Sequence, residues 1–227
     1  MKLKTTIKLL ACLSFAKTIY FNLKYFPLKT ALYLPVIIYR KTKLYKMKGQ
    51  IVLNLPPKPG IVEIGPHTLS TQDAKYARTI WAVWGKLVIN GKTKFGRGSH
   101  INIGKNGTLS IGNNFSITGG STIICEKEIS FGNNCLLSWD ILFLDTDYHR
   151  ILNQSGDIVN NPQPIHIGNH VWIGCRSTIL KGVSIPDDVV IAANSTITKS
   201  TIEKHCVIGG SGKEIAILKR DINWREY

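Results

Sequence analysis

The sequence predicts an all-β solenoid in which short flat strands alternate with turns around a triangular coil. Three features predict it: an aliphatic residue at every sixth position, a small or β-branched residue four places after each, and recurrent Gly-Asn turns. From Ile167 in steps of six come Ile173, Ile179, Ile185, Ile191 and Ile197, all isoleucine. Four places after each stand Val171, Ser177, Val183, Val189, Ser195 and Thr201. A helix would show a period near 3.6 instead.

The same beat runs upstream through Ile111, Ile117, Ile123 and Ile129, and again through Phe131, Leu137 and Phe143. Earlier come Ile89, Phe95 and Ile101, then Ile103 and Leu109, each change of register adding two residues. Three units of six close one turn, so inward aliphatics stack on counterparts about 18 residues away into one continuous core. The turns Ile103-Gly104-Lys105-Asn106, Ile111-Gly112-Asn113-Asn114, Phe131-Gly132-Asn133-Asn134 and Ile167-Gly168-Asn169-His170 supply residues that tolerate unusual φ.

The charge is uneven. The chain of 227 residues carries a net +15. Residues 1–60 hold twelve Lys and Arg and no acid, since the first carboxylate is Glu63. Residues 61–227 hold seventeen basic and fourteen acidic residues, a net +3. The basicity therefore belongs to one segment, which argues against nucleic acid as a partner. That segment is also apolar and aromatic, as in the run from Ile19 to Phe26. Basic residues among aromatics suit the surface of an anionic membrane, the alternative being a helical face packed on the main domain. The chain is therefore divided into a basic, helical N-terminal segment (1–60), the solenoid (61–208) and a C-terminal tail (209–227).

No apolar run approaches the roughly 20 residues of a spanning helix. Lys2, Lys4 and Lys8 before Leu9–Ala16 imitate an export signal, but the apolar core is short and Lys17 follows at once. Five cysteines form no Cys-x-x-Cys pair, which fits a reducing cytoplasm and indicates neither a disulfide framework nor a zinc knuckle.

The beat fails after Phe143 and resumes at Ile167. The interruption, 144–164, is rich in Asn, Gly, Pro and Asp and reads as a loop pushed out of the coil. It opens with Asp145-Thr146-Asp147-Tyr148-His149. A histidine is the natural general base for a hydroxyl, and Asp145 or Asp147 could orient its ring. Just before the loop, Trp139 offers a face for a sugar ring and Asp140 an acceptor for its hydroxyls; a structural corner role for Trp139 is the alternative.

The repeat over residues 85–215 resembles the hexapeptide-repeat acyltransferases. Asp-Thr-Asp-Tyr-His-Arg-Ile, followed by Pro-Ile-His-Ile-Gly-Asn-His-Val-Trp-Ile-Gly, is similar to the catalytic segment of their sugar and polysaccharide O-acetyltransferase branch. The resemblance implies a left-handed parallel β-helix, an exception to the usual right-handed crossover. It also implies a homotrimer with sites between subunits, acetyl-coenzyme A as donor, and His149 as catalytic base. Donor contacts then fall on Trp172, Gly174, Cys175, Ala193, Thr198, Lys199 and Lys213, with Cys175 as lining rather than nucleophile. Gly209-Gly210-Ser211-Gly212-Lys213 lacks the Asn-Pro-Ala of the family's turn, which leaves the donor contacts there open. His166 and His170 do not match a zinc-ligand pattern, and no metal is expected.

The activity implied is transfer of an acetyl group to a hydroxyl of a bacterial surface polysaccharide, capsule or O-antigen, with a lipid-linked acceptor at the inner membrane face. A sugar-nucleotide N-acetyltransferase and a non-catalytic β-helix scaffold are the alternatives.

Overall fold

The structure, a computed structural model, describes residues 12–67, 69–73 and 75–225. Helix α1 (Phe15–Tyr25) and the single turn α2 (Leu28–Ala31) precede the strands. Strands β1 (Val36–Ile38), β2 (Thr42–Met47) and β3 (Gln50–Leu53) form the first coil. The second holds β4 (Val62–Ile64), β5 (Thr79–Val83) and β6 (Lys86–Ile89); the third holds β7 (Thr93–Phe95), β8 (His100–Ile103) and β9 (Thr108–Ile111). The fourth holds β10 (Phe115–Gly119), β11 (Thr122–Cys125) and β12 (Glu128–Phe131). The fifth holds β13 (Leu136–Trp139), β14 (Leu142–Leu144) and, after the insertion, β15 (Ile165–Ile167). Then come β16 (Trp172–Ile173), β17 (Thr178–Leu180) and β18 (Ser184–Ile185), followed by β19 (Val189–Ile191), β20 (Thr196–Ile197) and β21 (Cys206–Gly209). Strand β22 (Ala216–Lys219) turns back antiparallel on β21.

Up to β20, strands three places apart pair in parallel; β21 then pairs with β19 and β22 with β21, so the described strands form three sheets of nine, seven and six. The register gives the coil lengths directly. Ile173 lies over Ile191 and Ile179 over Ile197, steps of 18 residues. Ile117 lies over Leu137 and Ile123 over Phe143, steps of 20; Ile89 lies over Ile111, a step of 22. The aliphatics of the six-residue beat all point inward and are buried. An aromatic spine runs through them: Phe21, Trp81, Phe95, Phe115, Phe131 and Phe143 touch in succession, with centroids 4.8–6.0 Å apart. Offset and edge-on pairs of this kind add to simple burial.

The corners are chemically distinct. Between the third and first sheets, Asn114, Asn134, His170 and Asp188 adopt φ of 53–60°. Beside them runs a side-chain ladder in which the Asn113, Asn133 and Asn169 amides donate to Asn133, Asn169 and Asp187 at 2.7–2.8 Å. Ile103-Gly104-Lys105-Asn106 behaves differently. It lies at the corner between the second and third sheets, where Asn106 keeps a negative φ and Gly107 donates back to the Gly104 carbonyl at 3.0 Å.

The boundary placed at residue 60 falls inside the solenoid, because β1, β2 and β3 pair in parallel with β4, β5 and β6. Charge composition reports outward faces, while Val36, Ile38 and Ile51 supply an inward face regardless. The helical part ends at Ala31 and caps the open strand edge. Asn22 exchanges two hydrogen bonds with Val36 (2.7 and 3.1 Å), and Thr18 Oγ1 accepts from the Ile38 amide at 3.0 Å. Residues four apart on the helix thus satisfy residues two apart on the strand.

Candidate active site

The insertion leaves the coil after β14, at the corner between the second and third sheets. Asp145, fully buried, opens it. Its carboxylate accepts the backbone N–H groups of Glu126, Lys127 and Glu128 at 2.7–2.9 Å. That use as a corner clamp corrects the expectation that Asp145 orients His149: three amides of the coil below would otherwise be unpaired, and they take both oxygens.

Asp147 is also engaged elsewhere. It forms an ion pair with Lys181 and accepts from Asn160 Nδ2 at 2.8 Å. The bond from Lys181 and then that from Asn160 hold the carboxyl below the usual range. Asn160 Nδ2 also donates to the His149 carbonyl at 2.8 Å, and the His149 amide donates to the Asp147 carbonyl at 2.6 Å. The backbone of His149 is therefore fixed on both sides, while no hydrogen bond to its imidazole forms among the described residues. The side chain is exposed and lines a cleft of ≈ 250 Å³ with Thr146, Tyr148, Arg150, Ile158 and Asn160. Tyr148, at φ 58°, accepts from Asn102 Nδ2 at 3.2 Å and so ties the loop to β8. Burial first, then Glu126 and Asp145, raise its phenol pKa.

The other expected residues gather on the corner between the first and second sheets. Trp139 and Asp140 line a cleft of ≈ 320 Å³ with Gln72 and Arg176. The Arg176 amide donates to the Trp139 carbonyl at 2.9 Å. Gly174 and Cys175 stand one coil higher, with Ala193 directly above them. A Cβ on Gly174 would come within 2.5 Å of the Ala193 nitrogen, so only glycine fits. Asn194 donates to the Cys175 carbonyl at 2.8 Å. Trp172 projects half-exposed from the first sheet and donates to Ser138 Oγ at 3.1 Å. Thr198 follows β20 and donates to the Gly212 carbonyl at 3.4 Å; Lys199 follows it. Lys213 lies in the short 3-10 turn Gly212–Glu214, and its side chain is outside the described residues. Within one chain, then, Trp139, Asp140, Gly174, Cys175 and Ala193 come together, and His149 sits across the second sheet from them.

His166 pairs with Ser130 Oγ at 2.8 Å. His170 Nδ1 lies 2.8 Å from Asp188, and its ring stacks on Trp224 with centroids 4.4 Å apart. His166 thus stands on the outer face of strand β15, and His170 at a corner, so the two are separate. Asn160 and Lys181 carry no sequence mark of their own. Lys181 was nonetheless foreseeable, because β14 and β17 pair Leu144 with Leu180 and so place residue 181 above residue 145.

The six-residue repeat and the three-sheet coil make this a parallel β-helix, left-handed as in the solved structure whose fold it shares. Residues 164–199 match the family described as bacterial transferase hexapeptide (six repeats). The chain is similar to the galactoside O-acetyltransferase of Escherichia coli K12, 36% identical over 107 residues, covering 46% of this chain and 48% of that one. It is also similar to the polysialic acid O-acetyltransferase of Neisseria meningitidis, 42% identical over 65 residues, 28% of this chain and 30% of that one. The chain thus spans about half or less of these relatives. The solved structure of the polySia-specific acetyltransferase NeuO shares the fold, with TM-score 0.53 and 20% identity over 85% of this chain and 79% of that one.

Proposed function

We propose that the protein is an O-acetyltransferase that moves an acetyl group from acetyl-coenzyme A to a sugar hydroxyl, with His149 as general base. The observation that carries this reading is the fixed His149 backbone beside a cleft, with an exposed imidazole to which no described residue hydrogen-bonds. A ring nitrogen takes the hydroxyl proton as the oxygen attacks the thioester carbonyl. The tetrahedral intermediate collapses, the carbon–sulfur bond breaks, and the coenzyme A thiolate recovers the proton from the imidazolium. Asp147, Asn160 and Lys181 act as positioning residues for the loop.

The similarity to O-acetyltransferases of galactosides and polysialic acid supports a saccharide acceptor. We place it in a bacterial surface polysaccharide, lipid-linked, with the enzyme cytoplasmic and peripheral at the inner membrane face. The working form is a homotrimer. Two features support it: the base and the cluster of Trp139, Cys175 and Ala193 lie on different corners of one chain, and the insertion's hairpin exposes Ile151, Leu152 and Val159. A neighbour's corner would complete the site and cover the hairpin. Trp139 and Asp140 then hold the sugar. Trp172, Gly174, Cys175, Ala193, Thr198, Lys199 and Lys213 line the donor groove, and the reaction as written needs no metal. Acetyl-coenzyme A turnover over a panel of neutral, acidic and amino glycans tests the proposal. O-acetylated product is expected; acetylation confined to amines would replace it with an N-acyltransferase.

A further inference from the structure

The helical cap has a built inner side and an outer one that no other described element covers. Inside, Phe21 is fully buried against Trp81, with centroids 5.6 Å apart, and Thr18 and Asn22 close the edge of β1. On the outside, Phe15, Ile19 and Leu23 follow at intervals of four on one helical sector with Tyr20 beside them, and Leu28 of α2 and Leu32, just after it, are exposed as well. Their exposure runs from 48% at Ile19 to 73% at Leu32. The terminal cap of a solenoid ordinarily turns a polar face outward, because that is what keeps it soluble. This one turns out apolar side chains.

The surroundings say what covers it. Lys24 and Lys29 lie on the same two helices. On the first coil, Lys43 and Lys46 stand 4.9 and 5.3 Å from the ring of Tyr45, and on the second Lys75 stands 5.2 Å from that of Tyr76. Tyr45 and Tyr76 are themselves exposed. An apolar face on helices that also carry Lys24 and Lys29, in a segment with twelve basic residues and no acid, has the chemistry of a bilayer interface, with acyl chains below and anionic headgroups around. A second copy is the poorer occupant, since it would set two segments with twelve basic residues and no acid against each other.

We propose that the solenoid docks end-on, through the outer face of α1 and α2, on an anionic phospholipid bilayer. The placement at a membrane face above named no surface; this assigns the surface and the orientation, independently of the acetyl transfer. The insertion carrying His149 leaves the fifth coil, four steps from the first. At ~4.8 Å per step the site then stands ~19 Å along the axis from the first coil, so a membrane-anchored acceptor must extend several sugar units to reach it.

The test is co-sedimentation of the full chain with phosphatidylglycerol-containing vesicles and with pure phosphatidylcholine vesicles. Deleting residues 1–45 would also remove β1 and part of β2, so the variant used is Phe15→Ser/Ile19→Gln/Leu23→Gln, all on the exposed sector. The full chain should bind anionic vesicles, weakly at high salt, and the variant about tenfold more weakly. Circular dichroism and turnover on a water-soluble acceptor should be the same for both. Equal binding by both proteins, or no binding by the full chain, overturns the docking and leaves the acetyl-transfer reading standing. Self-association that the variant abolishes, without vesicle binding, overturns it in favour of a second copy. Vesicle binding with no turnover would refute the enzyme and spare the docking.

Discussion

Lys181, on the coil above the insertion, forms an ion pair with Asp147, in the insertion itself. The contact joins residues 34 apart in sequence and fixes the loop through Asn160, whose amide reaches both Asp147 and the His149 carbonyl. Lys181→Met should therefore lower kcat/KM about tenfold through kcat, while Tm moves little, because partly exposed pairs contribute only ~0–1 kcal/mol. Parallel kinetics and thermal melts check this. Full activity in the variant would detach the clamp from the site.

Asp145 should behave in the opposite way. It is buried and accepts three backbone amides. Asp145→Ala leaves all three without a partner, at a cost of roughly 3 kcal/mol or more. Denaturant melts should show that loss whether or not substrates are present. A variant as stable as the parent would contradict the corner-clamp assignment.

The Asp147 clamp has a defined pH range. Its carboxyl pKa is lowered in the folded loop, chiefly by Lys181. A lowered folded value means the contribution is fully present above the unfolded carboxylate value of about 3.9 and is lost as pH falls through the folded one. Hydrogen exchange at the His149 amide, which donates to the Asp147 carbonyl, should stay slow through pH 5 relative to its intrinsic rate. Opening above pH 5 would contradict the ion pair.

The coil is legible in the sequence and the corners only partly so. The isoleucines from 167 to 197 give inward residues and the 18-residue step, because a buried aliphatic at each sixth position fixes which face of its strand points inward. The Gly-Asn turns locate corners but not their geometry: Asn114 and Asn134 take positive φ, whereas Asn106 in a similar tetrapeptide does not, since it sits at a different corner. The first coil was hidden by its lysines, which face outward and do not affect burial. The extruded loop that carries His149 was visible. The division of labour between Asp145 and Asp147 was not, because it depends on which backbone amides the neighbouring coils leave unpaired.

Core packing gives a further prediction. Phe143 is fully buried and lies edge-on to Phe131 at 5.0 Å, directly below the insertion. Phe143→Ala should destabilise the fold by ~3–5 kcal/mol, and Phe143→Leu by much less. Equal melting of both variants would contradict the continuity of the spine.

The most direct measurement is steady-state acetyl transfer by His149→Ala beside the parent protein, with folding checked by thermal melt. If His149 is the base, kcat falls by about 10²–10⁴-fold while KM for acetyl-coenzyme A and Tm are nearly unchanged, since the exposed imidazole forms no hydrogen bond among the described residues. Turnover within about twofold of the parent, with the fold intact, would contradict the assignment.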